Sequence, residues 1–347
     1  MTELHLTMPD DWHLHLRDGA LLAETVPATA RAFARAIVMP NLVPPVLDAE
    51  AAMAYRQRIE AARPAESHFA PLMTLYLTDH TTAEMIHAAH AAGVVAVKLY
   101  PAGATTHSDL AVTSLDRLEP VFEALTELEM PLLIHGEVTD EQVDIFDRER
   151  VFIERHLVPM VSRFPHLKVV MEHITTAQAV EFVLSASDRV AATITPQHLL
   201  MNRNHLLVGG IRPHNYCLPV LKRRRHQEAL QQVAISGNPK FFLGTDSAPH
   251  LQGRKESPCG CAGCYSAPAA LELYAEIFER LGALEKLEAF ASHFGADFYG
   301  LPRNRGRVTL KREPWQVPER VQLADGQTLV PYWAGQPLNW RLVARSE

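Results

Sequence analysis

The stretch Asp10-Asp11-Trp12-His13-Leu14-His15-Leu16-Arg17 opens the fold of this chain. If it is an extended strand, side chains two residues apart share a face. His13 and His15 then point one way while the leucines pack on the other side. Two neutral imidazoles on one face can share a metal ion. Two histidines that simply hydrogen-bond at a strand end would give the same pattern, so the metal hypothesis depends on further donors downstream.

Eight short apolar runs, of which this stretch is the first, alternate with longer amphipathic segments. The runs lie at 9–16, 35–40, 70–77, 94–101, 131–137, 167–174, 189–195 and 240–246, and helical patterns lie between them at 49–62, 81–92, 114–129 and 176–186. Repeated strand-helix units predict an α/β fold with a parallel sheet, and eight units favour closure into a (β/α)8 TIM barrel. A doubly wound open sheet is the alternative, but no Gly-x-Gly-x-x-Gly follows the first strand.

The domain organisation follows from the absence of linkers. No low-complexity segment or internal repeat interrupts the alternation, so we expect one domain over 1–347 with its core at about 9–300. Helical patterns continue at 268–282 and 284–300. The remaining residues, about 301–347, predict short strands and turns that cap the barrel and have a structural role.

Polar residues collect at the ends of the predicted strands. They are His13, His15 and Arg17 on the first strand, Asn41 on the second, Lys98 on the fourth, His135 on the fifth, His173 on the sixth and Asp246 on the eighth. In a (β/α)8 barrel the carboxyl ends of the strands form one mouth, where the chemistry takes place. Each residue alone has an ordinary structural explanation. Together they predict a metal site at that mouth.

Lys98 is the unusual member of this set. An ammonium group among metal ions would be repelled, so this lysine must be neutral or carry a group that reverses its charge. A neutral amine can add carbon dioxide and become a carbamate, an anionic oxygen ligand that is able to bridge two metals. The sequence permits this chemistry.

Charge and hydropathy exclude several classes of protein. The formal net charge of −7 argues against broad nucleic-acid binding, and we expect the basic run 222–226 to lie on a solvated helix face. No apolar run approaches the roughly 18 to 20 residues that span a bilayer. The N-terminus lacks the basic and apolar regions of a signal peptide, so we expect a cytoplasmic protein with no membrane partner.

Three of the four cysteines lie in the run PCGCAGC, at Cys259, Cys261 and Cys264, and the fourth is Cys217. A structural zinc site usually has two separate Cys-x2-Cys knuckles, and the second is missing here. A Gly-rich loop whose backbone is functional is therefore favoured over a zinc ribbon. Without a secretion signal, disulfides are not expected.

Several motifs carry a family resemblance. DDWHLHLRDG, RAIVMPNLVPPV, VKLYPAGATT, LLIHGEVTD, EHITT, ATITPQHLLMNRNHLLVGGIRPHNYCLP, LGTDSAPH and KESPCGCAGC follow one another between about residues 9 and 300. In content and order they resemble the amidohydrolase superfamily, and within it the dihydroorotases of the shorter bacterial type.

The resemblance implies a zinc site and a reaction. His13, His15 and Asp246 would hold one Zn²⁺, His135 and His173 the other, and a carboxylated Lys98 and a hydroxide would bridge both. Asp246 would also carry the proton between the attacking hydroxide and the leaving ring nitrogen. The implied reaction is the reversible interconversion of N-carbamoyl-L-aspartate and L-dihydroorotate in pyrimidine synthesis, by a homodimer.

The substrate carboxylate needs a receptor, and Arg17 shares the face of the metal histidines with a planar fork that suits it. By resemblance, Asn41 and His250 join Arg17 at the carboxylate, backbone groups of Leu218 and Ala262 bond the ring, and Thr105 and Thr106 reach the substrate from a mobile loop at 101–113. His107 directly after these threonines departs from the family pattern, with an effect on loop closure that the sequence does not define.

Other readings share some of these features. A related cyclic amidase, such as a hydantoinase or dihydropyrimidinase, would use the same metal core, but an uncharged substrate would leave the Arg17 guanidinium without its anion. A metal-less barrel that only binds a partner enzyme would not need all six ligands. A zinc-ribbon nucleic-acid module lacks its second knuckle and fits poorly with the acidic balance.

Overall fold

The computed structural model describes residues 2–346. In chain order, β1 (Glu3–Thr7) lies outside the barrel, and eight parallel strands follow. They are β2 (Asp10–Leu14), β3 (Arg35–Val38), β4 (Ala70–Tyr76), β5 (Ala96–Leu99), β6 (Leu132–Ile134), β7 (Val169–Met171), β8 (Val190–Ile194) and β9 (Phe241–Leu243). Each strand pairs with the next one in sequence. Each of the eight barrel strands lies inside one of the eight apolar runs, so the predicted (β/α)8 fold is confirmed.

The first and last barrel strands meet through the residues that follow them. The backbone N–H of Asp246 donates to the carbonyl of His13 at 2.8 Å, and the N–H of His15 donates to the carbonyl of Ser247 at 2.9 Å. These two bonds continue the parallel pairing from β9 back to β2. The seam of the barrel therefore runs through the predicted metal ligands themselves.

Helices cover the outside of the sheet. They are α1 (Leu22–Ala30), α2 (Ala49–Ala61), α3 (Ala83–Ala91), α4 (Glu119–Glu127), α5 (Arg148–Phe152), α6 (Val158–Arg163), α7 (Ala177–Ser185), α8 (Pro196–Leu200), α9 (Asn204–Leu207), α10 (Arg224–Ala234), α11 (Gln252–Lys255), α12 (Ala270–Arg280) and α13 (Phe294–Tyr299). Asp48, Thr82 and Thr176 cap α2, α3 and α7 by accepting a hydrogen bond from a first-turn N–H, which fixes where these helices begin. One π-turn joins α5 to α6, and another precedes α13.

The amino-terminal end of the barrel is closed by side chains. Trp12, Leu133 and Phe242 point into the barrel below the metal ligands, and Tyr299 of α13 stacks on Trp12 with ring centroids 4.5 Å apart. Because this end is filled with apolar groups, ligands can enter only at the carboxyl ends of the strands.

The capping extension differs from the prediction in one respect. Its strands are β10 (Arg307–Gln316), β11 (Val321–Gln322), β12 (Thr328–Leu329) and β13 (Pro337–Ser346). β10 pairs with β13 on one side and with the amino-terminal β1 on the other, all antiparallel. The cap therefore contains the start of the chain, which the sequence reading did not include. The indole of Trp340 is buried in it and donates to Glu279 of α12 at 3.2 Å.

The basic run at 222–226 is only partly solvated. Arg223, Arg224 and Arg225 are exposed, as expected, but Lys222 and His226 are buried. The Lys222 ammonium donates to the carbonyl of Val220 at 2.9 Å, and His226 accepts from a backbone N–H at the start of α7. The prediction of a solvated face is wrong for these two residues. None of the helices in the described chain is long and apolar enough to cross a membrane.

Candidate active site

A cavity at the carboxyl mouth of the barrel brings the predicted site residues together. It is lined by His13, His15, Arg17, Asn41, Tyr100, Thr105, Thr106, His135, His173, Leu218, Asp246, Ala248, Ala262 and Gly263. Of the residues predicted for the site, only Lys98 and His250 do not line it. Lys98 is buried against the ring of Tyr100, and His250 contacts Arg17.

Four imidazoles form an arc around the cavity. The ring centroids of His15 and His13 are 5.5 Å apart, those of His13 and His173 are 4.9 Å apart, and those of His173 and His135 are 4.9 Å apart. One carboxylate oxygen of Asp246 lies 3.4 Å from Nε2 of His13 and 3.2 Å from Nε2 of His15. The donors therefore come from opposite ends of the sequence to one point.

Two of these histidines, His15 and His135, have a hydrogen-bond partner on one ring nitrogen, and a third, His13, lies beside a carboxylate. Nδ1 of His15 lies 2.8 Å from Oδ1 of Asn41. Nδ1 of His13 lies 2.9 Å from Glu172. Such partners fix the ring orientation and leave the other nitrogen free to bind a metal.

His135 has the same arrangement on its other nitrogen, because its Nε2 lies 2.7 Å from a carboxylate oxygen of Glu137. The sequence reading missed Glu137 and Glu172. The signal was present, since these acidic residues are within two positions of His135 and His173 in HGE and EH.

Thr193 connects Glu172 to His173, the fourth histidine of the arc. Its hydroxyl donates to Glu172 at 2.5 Å and accepts from the backbone N–H of His173 at 2.7 Å. Gly244 leaves room for this contact, because a Cβ at that position would lie 2.6 Å from the Cβ of Thr193. The position therefore needs glycine for steric reasons, and its backbone is packed directly against the residues that orient the ligands.

Three site residues have a left-handed backbone conformation. The φ angles of Arg17, His173 and Asp246 are 61°, 40° and 45°. Non-glycine residues rarely adopt this region, and each instance costs of order 1–3 kcal/mol unless the surroundings hold it. The hydroxyl of Tyr55 donates to the carbonyl of Arg17, and the N–H groups of His173 and Asp246 are bonded to Thr193 and His13. Strain is thus concentrated at the mouth of the barrel.

Lys98 is completely buried, and its amine has no hydrogen-bond partner among residues 2–346. Burial lowers the pKa of this amine to about 8, although the charges of Glu172 and Asp246 act in the opposite direction. Close to neutral pH, part of the population therefore carries the neutral amine that can react with carbon dioxide.

The surroundings favour neutral imidazoles at His15 and His173 and an ionised aspartate, whereas the pKa of His13 is raised because the charge of Glu172 outweighs burial. Burial, followed by the nearby Arg17, lowers the pKa of His15 to about 3. Burial and the charge of Lys98 hold the pKa of His173 well below its usual range. Burial alone would raise the pKa of Asp246, but hydrogen bonds from His13 and His15 hold it well below its usual range. Neutral imidazole and carboxylate are the forms that bind metals.

These residues fit a divalent metal. Ligand atoms of His13, His15 and Asp246 all lie within 4.8 Å of one another. The amine of Lys98 and Nδ1 of His173 are buried polar atoms without a hydrogen-bond partner in the described chain. Because a buried polar atom without a partner is costly, these atoms favour a bound group at the site. Nitrogen and oxygen donors of this kind suit zinc.

Arg17 is half-buried beside this group and has no carboxylate at ion-pair distance within residues 2–346. Its Nε donates to the carbonyl of Pro249 at 3.1 Å, and Nη2 lies 2.9 Å from Nε2 of His250. A desolvated guanidinium without an anion is costly, so this arrangement is typical of an anion receptor.

The protonation state of His250 decides whether the carbonyl of Ala262 is available as an acceptor. Nε2 of His250 lies 2.9 Å from both Arg17 and the carbonyl of Ala262. One nitrogen cannot accept from the first and donate to the second at once, and a guanidinium can only donate. Burial and the charge of Arg17 lower the pKa of His250 to about 2, so the ring is neutral and accepts from Arg17. The Ala262 carbonyl is then free to accept from a ligand.

The loop at 101–113 closes over the cavity. The side-chain amide of Asn41 donates to the carbonyl of Thr106 at 3.0 Å, and the Tyr76 hydroxyl donates to the carbonyl of His107 at 3.0 Å. Nδ1 of His107 lies 3.2 Å from the carbonyl of Asn41. Asn41, predicted at the substrate carboxylate, is therefore engaged by His15 and by the loop. The cavity has a volume of only ≈ 20 Å³ in this arrangement, so a substrate requires the loop to move.

The cysteine-rich loop is held by a lysine. The buried ammonium of Lys255 donates to the carbonyls of Tyr216, Cys261 and Gly263 at 2.7, 2.8 and 2.7 Å. Cys217 and Cys264 are buried and Cys259 is exposed, so the four thiols do not face one point. Over residues 2–346, the metal-binding group of His, Cys, Asp and Glu side chains is the one at His13. This arrangement supports the Gly-rich loop over the zinc ribbon.

Residues 11–318 match the model of the amidohydrolase family, so fold and site define a hydrolase of this metal-dependent class. Over 344 residues the chain is 65% identical to the dihydroorotase of Pseudoalteromonas atlantica, which covers 99% of this chain and 100% of that protein. The crystal structure of Campylobacter jejuni dihydroorotase has a TM-score of 0.91 at 37% identity, covering 99% of this chain and 98% of that one. Saccharomyces cerevisiae dihydroorotase, in complex with 5-fluoroorotic acid, also has a TM-score of 0.91, at 31% identity and 99% coverage of both chains. The chain belongs to the amidohydrolase family and, within it, to the dihydroorotases.

Proposed function

We propose that this chain is a dihydroorotase that interconverts N-carbamoyl-L-aspartate and L-dihydroorotate. The observation that carries the proposal is the half-buried guanidinium of Arg17, which has no carboxylate partner in the described residues and lies beside the His and Asp cluster. A metal cluster alone fits any cyclic amidase. A preformed anion receptor next to it fits a ring that bears a carboxylate, as both of these compounds do.

The proposed cofactor is a pair of Zn²⁺ ions. His13, His15 and Asp246 would hold one ion, and His135 and His173 the other, with a carboxylated Lys98 as a ligand of both. When bound, such a pair lowers the pKa of a water molecule and polarises the amide carbonyl that the water attacks. Glu172 and Glu137 would keep two of the imidazoles in the orientation that binding requires.

Asp246 is the proposed proton carrier. Its carboxylate is ionised and faces the cavity, so it can take the proton from the attacking water and deliver it to the ring nitrogen as the amide bond breaks. In the synthetic direction it takes the proton from the nitrogen that attacks the carboxyl carbon and delivers it to the oxygen that leaves as water when the C–O bond breaks. The left-handed backbone at Asp246 holds the carboxylate at the mouth, in reach of substrate and ligands alike.

The remaining residues would bind and enclose the substrate. Arg17, with His250 beside it, would receive the carboxylate, and the free carbonyl of Ala262 and the backbone of Leu218 would bond the ring. Asn41 would exchange its bond to the loop for one to the substrate. Thr105 and Thr106 would then contact the substrate from the closed loop, which excludes water from the reacting bond. We also propose that the enzyme acts as a homodimer, on family resemblance.

The first experiment measures ring opening of L-dihydroorotate by the pure protein, together with its zinc content. We expect turnover and two equivalents of zinc. A parallel assay with dihydrouracil, the same ring without the carboxylate, separates this function from that of a dihydropyrimidinase. Faster opening of the uncharged ring would contradict the proposal.

Arg17→Ala tests the division between metal ligands and anion receptor. We expect kcat/KM for dihydroorotate to fall by about 100-fold or more, because a charged hydrogen-bonded pair of this kind contributes about 3 kcal/mol. Zinc content should stay at the wild-type level, and Arg17→Lys should keep part of the activity. Loss of zinc in Arg17→Ala would show that the guanidinium supports the metal site instead.

A further inference from the structure

Tyr100 presents an unused hydrogen-bond donor at the active site. Its side chain is 1% exposed and lines the cavity, and its hydroxyl has no hydrogen-bond partner among the residues that the structure describes. The two neighbouring phenols differ in this respect. Tyr76 donates to the carbonyl of His107 and Tyr55 donates to the carbonyl of Arg17.

The packing of the ring places Tyr100 between Lys98 and the cavity. One face covers Lys98, whose amine lies 5.0 Å from the ring centroid, and the ring packs against Tyr76 with centroids 5.3 Å apart. Tyr100 lines the same cavity as Arg17 and Asp246, the proposed carboxylate receptor and the proposed proton carrier.

We propose that the Tyr100 hydroxyl donates a hydrogen bond to an oxygen of the bound substrate and is a further substrate-binding residue. The inference rests on the proposed function, because that function supplies the oxygens. N-carbamoyl-L-aspartate and L-dihydroorotate both carry carboxylate and carbonyl oxygens, and a phenol donates to such acceptors at neutral pH.

Energetics favour a ligand as the partner. A buried donor without an acceptor destabilises the free protein, and a phenylalanine would avoid this cost while keeping the ring. The cost is recovered when the cavity contains an acceptor, so the hydroxyl increases affinity for a ligand with an oxygen at that position. Tyr100 would supplement Arg17 with an uncharged donor from another part of the barrel wall, since it follows β5, which two strands separate from β2.

Tyr100→Phe tests the proposal because it removes only the hydroxyl. Tyr299→Phe is the matched control, since the Tyr299 hydroxyl is also buried without a partner in the described chain but its ring stacks on Trp12 at the closed end of the barrel. For each protein we would measure zinc content, Tm, the Kd of 5-fluoroorotate and kcat/KM for dihydroorotate.

For Tyr100→Phe we expect a Kd about 10-fold higher and a kcat/KM at least 10-fold lower, with zinc content unchanged and no loss of Tm without ligand. Tyr299→Phe should match the wild type in Kd and kcat/KM. The stabilisation by 5-fluoroorotate, read as a rise in Tm, should be smaller in Tyr100→Phe than in the control.

A Kd and kcat/KM within twofold of the wild type would overturn the inference, and so would loss of zinc from Tyr100→Phe, which would assign the hydroxyl to the metal ligands. The proposed function fails separately, if the wild type does not open dihydroorotate. In that case the ratio of the two Kd values for 5-fluoroorotate still decides whether the hydroxyl contacts a bound ligand.

Discussion

Lys98 combines complete burial, an amine without a partner in the described residues and a pKa of about 8. Each property alone would be unfavourable for an ordinary structural lysine. Together they describe a side chain that is prepared for chemical conversion, because a desolvated amine loses its proton more readily and then reacts as a nucleophile.

Lys98→Ala should therefore lose both metal and activity. Without the amine, no carbamate can form, and the proposed pair of Zn²⁺ ions would lose a shared ligand. We expect zinc content to fall below half of the wild-type value and turnover to fall by more than 100-fold. Lys311→Ala removes the same charge from the exposed outer sheet and is the control. Full zinc content in Lys98→Ala would contradict this role for the lysine.

Gly244 is a second position where a change of one side-chain atom is expected to disturb the site. A methyl group there would lie 2.6 Å from the Cβ of Thr193 and 3.2 Å from the Cβ of His13. Gly244→Ala should lower the free energy of unfolding by about 1–3 kcal/mol in urea denaturation, and should also lower zinc affinity, because Thr193 holds the partner of His13. Gly253→Ala, where a Cβ meets open space, is the matched control. Equal zinc affinity in both variants would separate Thr193 from the metal site.

Among the structural elements, the loop at 101–113 links substrate access to the proposed metal ligands. Asn41 bonds His15 on one side and the loop on the other, so closing the loop and orienting a proposed metal ligand involve the same side chain. Asp79 holds the far end of the loop by accepting from the backbone N–H and the hydroxyl of Thr113, at 2.9 and 2.5 Å.

Asp79→Ala should loosen this loop without affecting the metals. Loss of two hydrogen bonds, which contribute about 1 kcal/mol, should raise KM for dihydroorotate by about fivefold, with zinc content at the wild-type level. Asp109→Ala removes the same charge from an exposed position in the loop itself. If that variant showed the same rise in KM, the effect would be one of charge and the anchoring role of Asp79 would be wrong.

The sequence allowed the strands to be predicted because β-branched runs and their spacing are local properties. It also indicated which residues would meet, since the carboxyl ends of parallel strands in a barrel share one mouth. The left-handed backbone at Arg17, His173 and Asp246 could not be predicted, because tertiary hydrogen bonds hold it. The motifs HGE and EH contain Glu137 and Glu172, but they do not show which histidine each carboxylate faces, because Glu172 contacts His13 from a distant part of the chain. The burial of Lys222 depends on a carbonyl that only the folded loop supplies.

For the molecule as a whole, the outer sheet formed by β1, β10 and β13 brings the two ends of the chain together and does not line the cavity. β1 comes from the start of the chain and β13 from its end, and both pair with β10. The indole of Trp340 in β13 is fully buried and joins this sheet to α12.

Trp340→Ala should destabilise the protein while sparing the site. Removal of a buried indole costs about 3–5 kcal/mol, which should appear as a lower midpoint in urea denaturation. Zinc content and KM for dihydroorotate, measured at 25 °C, should match the wild type. Trp340→Phe, which fills part of the space, should lose less stability. A changed KM in either variant would give the outer sheet a role beyond support.

The backbone hydrogen bonds from Asp246 to His13 and from His15 to Ser247 also set an order of events during synthesis. When the first 240 residues have been synthesised, the four histidines of the site and Lys98 are present. β2 still has an open edge, however, and Asp246 has not yet been added. The group becomes complete only when β9 has been synthesised and pairs with β2. Completion of the group His13, His15 and Asp246 and closure of the cylinder are therefore the same step of folding.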